Sequence, residues 1–98
     1  MEPLSNPEIR KLKAVAQRLK PILSLGKSGM TADFLNSVQA ALGSHELIKI
    51  KLEHFKDQRK ALAPQLAEKT GSHLVTLLGN VVVLYRKRAV EESGADQR

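Results

Sequence analysis

Ninety-eight residues suffice for one domain and leave no room for a second core. A hydrophobic fraction of 42% fits a folded chain rather than a disordered one, and the lack of cysteine excludes disulfides and thiolate metal sites. The net charge of +6 gathers at one end, with six basic against two acidic side chains in residues 1–30 and ten against eight in residues 31–98, which suits a polyanionic partner.

The opening residues Met1 to Leu4 have no basic n-region and no apolar run, so a secretion signal is not expected. No run reaches membrane-spanning length, and the expectation is a soluble, cytoplasmic monomer. Ser5-Asn6-Pro7 supplies a capping side chain and a proline for a first helical turn. Leu12, Val15, Ala16 and Leu19 recur at helical spacing and predict a helix over Glu8–Leu19, ending before Pro21. Arg10, Lys13, Gln17 and Lys20 fall opposite that stripe, flanked by Lys11 and Arg18. Ile22 to Leu25 is short, apolar and bounded by Pro and Gly, which predicts a buried strand.

Gly26-Lys27-Ser28-Gly29 follows, and Thr31 is a good N-cap for a second helix with Asp33 in its first turn. Two glycines let a backbone approach a ligand closely, Lys27 adds a mobile charge, and the N–H groups of the next helix are expected to point at the loop. A phosphate backbone suits such a construction best. Phe34, Leu35, Val38, Ala41 and Leu42 form the apolar face of that helix, and Gly43 is its expected stop.

Leu47 to Leu52 alternates cleanly, with Ile48, Ile50 and Leu52 on one face and Lys49 and Lys51 on a wet one. A third helix is expected from Asp57 to about Thr70-Gly71, either kinked at Pro64 or starting there, with helical spacing across the proline favouring the kink. Leu74–Leu78 and Val81–Tyr85 are apolar, β-branched runs joined by Gly79-Asn80, a two-residue hairpin signal. Residues 1–88 thus form the domain, and residues 89–98 a polar tail expected to fray.

The order is helix, strand, helix, strand, helix, strand, strand: a small α/β domain with a mixed four-stranded sheet. Two strand–helix–strand crossovers predict parallel neighbours, and the hairpin adds an antiparallel pair.

Catalytic patterns fail one by one. A P-loop needs a glycine five residues before Gly26, where Pro21 stands. A nucleophile elbow around Ser28 needs glycine where Met30 stands. His45, His54 and His73 are scattered over three segments, so neither a zinc site nor a histidine-activated nucleophile is indicated. Glu46 and Glu53 flank a strand, Glu91 and Glu92 lie in the tail, and nothing makes a carboxylate pair converge. No catalytic residue, metal or cofactor is expected.

Nucleic-acid binding is better supported. With no Trp, one Tyr and two Phe, recognition driven by base stacking is not expected. Backbone clamping by a Gly-x-x-Gly loop needs no aromatic side chain. The basic face of the first helix, Lys27, Lys49, Lys51 and the Arg86-Lys87-Arg88 cluster can supply phosphate contacts. A protein-interaction module with a basic helix and a purely structural loop is the alternative.

Leu25-Gly26-Lys27-Ser28-Gly29, Ala41-Leu42, Glu46 to Ile50, Thr70-Gly71, Gly79 and Leu84-Tyr85-Arg86 together resemble the CRM domain, over about residues 8–88. The chain looks like the stand-alone bacterial members of the YhbY type. The resemblance implies a fold similar to the C-terminal domain of bacterial translation initiation factor three, RNA binding, and association with precursors of the large ribosomal subunit. Carried over by position, the loop falls on Gly26, Lys27, Ser28 and Gly29. The basic surface falls on Arg10, Lys11, Lys13, Arg18 and Lys20 with Lys49, Lys51 and Arg86. Pro64 departs from the family's pattern and puts the continuity of the third helix in doubt.

Overall fold

The computed structural model describes residues 3–87. Arg88 and the predicted tail lie outside them. The elements are α1 (Asn6–Ala16), β1 (Leu23–Leu25), α2 (Ala32–His45), β2 (Leu47–Leu52), a 3₁₀ turn (Lys56–Gln58), α3 (Arg59–Thr70), β3 (His73–Leu78) and β4 (Val81–Tyr85).

The strands form one mixed sheet in the order β1-β2-β4-β3. β1 runs parallel to β2, and β4 is antiparallel to both β2 and β3. One expectation fails here. The crossover through α3 does not make β2 and β3 neighbours, because β4 folds back between them. The reason is burial: Val82, Val83 and Leu84 are all 0% exposed, and such an unbroken apolar run is satisfied only with cover on both faces.

Two apolar clusters sandwich the sheet. On one face, α2 and α3 bring Val38, Leu42, Ala63, Leu66 and Ala67 against Leu25, Ile48, Ile50, Leu52, Val82 and Leu84. On the other, Leu4, Ile9, Leu12 and Ala16 from the α1 region cover Leu47, Val75, Val83 and Tyr85. The lysine face of β2 is therefore wet only in part. Leu47 is buried under α1, Lys49 is half-buried and Lys51 is exposed.

α1 starts at Asn6 because Ser5 and Glu8 form a reciprocal cap, the Glu8 N–H donating to Ser5 Oγ and the Ser5 N–H donating to Glu8 Oε1 at 2.9 Å. The Ser5 backbone N–H first, and then the Ser5 hydroxyl, both donating to Glu8 Oε1, hold the Glu8 carboxyl below its ordinary pKa. At its end the chain tightens into i→i+3 turns, Arg18 N–H to the Val15 carbonyl and Leu19 N–H to the Ala16 carbonyl, so the regular helix stops at Ala16 rather than Leu19. Its buried stripe is correspondingly shifted. Ile9, Leu12 and Ala16 face the sheet, while Val15 and Leu19 are 45% and 36% exposed.

Ile22 also stays out. Its N–H bonds the Lys49 carbonyl, but β1 begins at Leu23, and of that edge strand only Leu25 is buried. α2 runs through Gly43 to His45 and ends where Glu46 turns to φ 63°. Gly43 is the twelfth of the fourteen residues and does not take a positive φ, so the positive-φ turn that ends the helix falls at Glu46 instead. The third helix begins at Arg59, with Asp57 in the preceding 3₁₀ turn, and is continuous through Pro64. Pro64 and Lys60, whose carbonyl loses its helical donor, are both exposed, so water can take that carbonyl.

Candidate nucleic-acid interface

β1 delivers the chain to the loop at the end of the sheet where β2 also finishes, Leu25 pairing with Leu52. The Leu25 carbonyl accepts the N–H groups of both Glu53 and His54, at 3.1 and 3.3 Å, which pins the residue before the loop to the segment after β2. Asn80 holds the β3–β4 turn to the same end, its carbonyl accepting the Leu52 N–H at 2.7 Å and its side-chain amide donating back to the Leu52 carbonyl. The turn after β2 and the β3–β4 turn thus share this end of the sheet with the Gly-x-x-Gly segment.

Gly26 to Gly29 closes as a β-turn, the Gly29 N–H donating to the Gly26 carbonyl at 3.1 Å. Gly29 takes φ 77°, which brings the chain round so that the Thr31 N–H reaches the Gly29 carbonyl at 2.9 Å. The Thr31 hydroxyl accepts the Phe34 N–H and caps α2. Several donors expected to face a ligand are therefore consumed by the loop and cap. The exposed tip is Lys27-Ser28, offering two backbone N–H groups, a hydroxyl and an ammonium. Gly26 differs from Gly29: its φ is not positive, and a Cβ built there meets nothing within 4 Å. The fold alone would accept a side chain at Gly26.

The predicted basic residues divide into two groups. Arg10, Lys11, Lys13, Arg18 and Lys20 are exposed on α1 and the turns after it, and Lys27 and Lys51 are exposed at or beside the loop. Lys49 and Arg86 are committed to the protein. The Lys49 ammonium donates to the carbonyls of Ala16 and Leu19, at 3.0 and 2.9 Å, where a helix C-terminus favours a cation. The Arg86 guanidinium donates to the Thr70 carbonyl at 2.8 Å and to both the side-chain and backbone oxygens of Gln39, joining β4 to α2 and α3. Both residues are half-buried, and each spends donors on helix carbonyls far away in sequence.

The same Lys49 contact joins the two basic regions. Lys49 and Leu52 are three residues apart on β2, so the end of α1 lies roughly 10 Å along the strand from Leu25, the residue before the loop, at about 3.3 Å per residue. Lys51, exposed on the same face, stands between them. Its contact with Glu53 spans 3.9 Å with both side chains about half exposed, too weak to neutralise it.

Sequence reasoning missed His54, Phe55, Lys56 and Lys60, which enter this end of the molecule through the 3₁₀ turn and the start of α3. All four are exposed. Their only signal in the chain is adjacency to the end of β2, and that becomes meaningful once β2 is paired with β1.

Comparison with known proteins gives a consistent result. The family model for the CRS1 / YhbY (CRM) domain matches residues 4–86. A Probable RNA-binding protein of Pseudomonas aeruginosa is 35% identical over 85 residues, 86% of this chain and 82% of that protein. An RNA-binding protein of Haemophilus influenzae is 32% identical, with 88% of each chain covered. The solution structure of a Staphylococcus aureus protein superimposes with a TM-score of 0.73 at 34% identity, covering 86% of this chain and 88% of that one.

Proposed function

The chain belongs to the CRS1/YhbY (CRM) domain family, and on that premise we propose that it is a non-enzymatic factor that binds ribosomal RNA in precursors of the large ribosomal subunit. The Gly26–Gly29 turn holds backbone phosphate. The α1 cations and Lys51 hold the flanking strand.

The observation that carries this reading is Gly26. Its glycine has no backbone or packing requirement, yet it opens the exposed turn that carries Lys27 and Ser28. A residue kept small without a steric reason inside the protein suits close approach by something outside it. The surrounding charge suits a phosphate-binding surface, and the names of the Pseudomonas aeruginosa and Haemophilus influenzae relatives state RNA binding.

The test is co-sedimentation of the protein with large-subunit precursors, joined to filter binding of large-subunit RNA fragments across a salt series. The reading expects association with the precursors and a linear fall of log affinity with log salt. Binding to RNA without precursor association would leave a general RNA-binding role. Binding only to an acidic protein partner would move the basic helix to a protein interface and leave the loop structural.

A further inference from the structure

Phe55 and Glu46 are the two non-glycine residues at positive φ among the described residues, and of the two Phe55 carries an aromatic ring. Its backbone sits at φ 62°, ψ 32°, the left-handed region that a bulky L-residue enters at a cost. Burial of the residue is only partial, 38% of it remaining exposed. What the turn achieves is placement. The ring lies over the Gly-x-x-Gly loop, where a Cβ on Gly29 would come 3.7 and 3.8 Å from its Cε2 and Cζ. The His54 ring stands edge-on beside it, centroids 6.5 Å apart at 62°. Exposed Lys56 and Lys60 follow.

An exposed aromatic ring touching a phosphate-binding turn has a specific use. The phosphate and base of a nucleotide are separated by one sugar, so a ring against Gly29 is within reach of the base whose phosphate the turn holds. We propose that Phe55 is a stacking residue: its exposed face takes the base of an unpaired RNA nucleotide seated on Gly26–Gly29. This rests on the RNA-binding reading above and adds to it a preference for single-stranded segments, since a base in a duplex cannot be splayed onto a ring. Stacking is tolerant of base identity, so Phe55 selects strandedness rather than sequence.

The alternative role for the ring is an apolar cover that merely steadies Gly29. Three variants of the full chain separate the two roles. Phe55→Leu keeps an apolar cover without a π-face. Phe55→Gly removes the side chain and relieves the left-handed backbone, and its thermal unfolding shows whether any loss of binding comes with a loss of fold. Phe55→Trp keeps an aromatic face and introduces a tryptophan into a chain that has none.

The probes are an unstructured single-stranded RNA oligonucleotide and a duplex of equal length, with thermal unfolding of each variant alongside. Stacking predicts that Leu and Gly each weaken single-strand binding roughly 5- to 150-fold while duplex affinity is unchanged. Phe55→Trp should keep parental affinity with its emission quenched on adding single strand. Parental affinity in Phe55→Leu, or an unmoved tryptophan signal while RNA binds, overturns stacking and leaves the RNA-binding reading standing. An equal loss for duplex also overturns it. A parent that binds neither probe removes both proposals together.

Discussion

At the scale of single residues, the two glycines of the loop make opposite predictions. Gly29 needs its positive φ, so Gly29→Asp should cost about 1–2 kcal/mol of stability and also set a negative charge beside the phosphate. Gly26→Ala meets no neighbour and no strained φ, so thermal stability should hold or rise slightly, by about 0.4–1 kcal/mol through a stiffer unfolded chain. Its RNA affinity should fall nonetheless. Unchanged affinity in Gly26→Ala, measured by filter binding, would remove the main support for close backbone approach. Arg86 separates structure from interface in the same manner. Arg86→Ala strands the Thr70 and Gln39 oxygens and should cost about 1.5–3 kcal/mol in denaturant unfolding, the range for hydrogen bonds to charged groups. A stable Arg86→Ala variant with weakened RNA binding would return Arg86 to the interface. The loop's residues were legible because turn chemistry is local. The duties of Lys49 and Arg86 were not, since a lysine at an alternating strand position looks solvated until a helix terminus docks beside it.

At the scale of elements, Pro64 is the sharpest test. Proline inside a helix forfeits one hydrogen bond and crowds the preceding turn, at about 3 kcal/mol in a helix interior. α3 is continuous across it, and Pro64 is the sixth of the twelve residues from Arg59 to Thr70, past the first turn where proline is neutral. Pro64→Ala should therefore stabilise the domain by an amount approaching that figure, read as a higher denaturant midpoint at constant slope. A variant no more stable than the parent would mean that the Lys60 carbonyl is already satisfied and the ring already accommodated. Helix existence was plain from periodicity, while helix ends were not. Gly43 looked like a stop because glycine often is one, but it does not take a positive φ, and the helix turns instead at Glu46, whose N–H still bonds the Leu42 carbonyl. The error at α1 has a different cause: Val15 and Leu19 share the helical period of Leu12 and Ala16, and only the position of the sheet shows that Ile9 replaces them in the buried stripe.

At the scale of the whole molecule, the strand order carried a signal that connection rules alone misread. Sequential crossovers argue for β2 beside β3, yet Val81-Val82-Val83-Leu84 is the least polar strand in the chain, and the least polar strand belongs at the centre. That central strand draws the β3–β4 turn to the end of the sheet where the Gly-x-x-Gly loop and Phe55 meet. α1 is held at its far end by Lys49, so cations on one long surface should act on RNA together. Replacing Arg10, Lys13 and Lys20 with Ala should leave thermal stability nearly unchanged, because all three are exposed and none lies in the stripe of Ile9, Leu12 and Ala16. Affinity at low salt should drop, and the slope of log affinity against log salt should flatten by up to roughly one unit for each phosphate contact removed. The slope is the more telling measurement, since it counts charges at the interface whereas affinity mixes them with stacking and hydrogen bonds. A variant with parental affinity and slope at low salt would place the RNA on the loop end alone and leave α1 as a solvated cover for Leu47 and Val83.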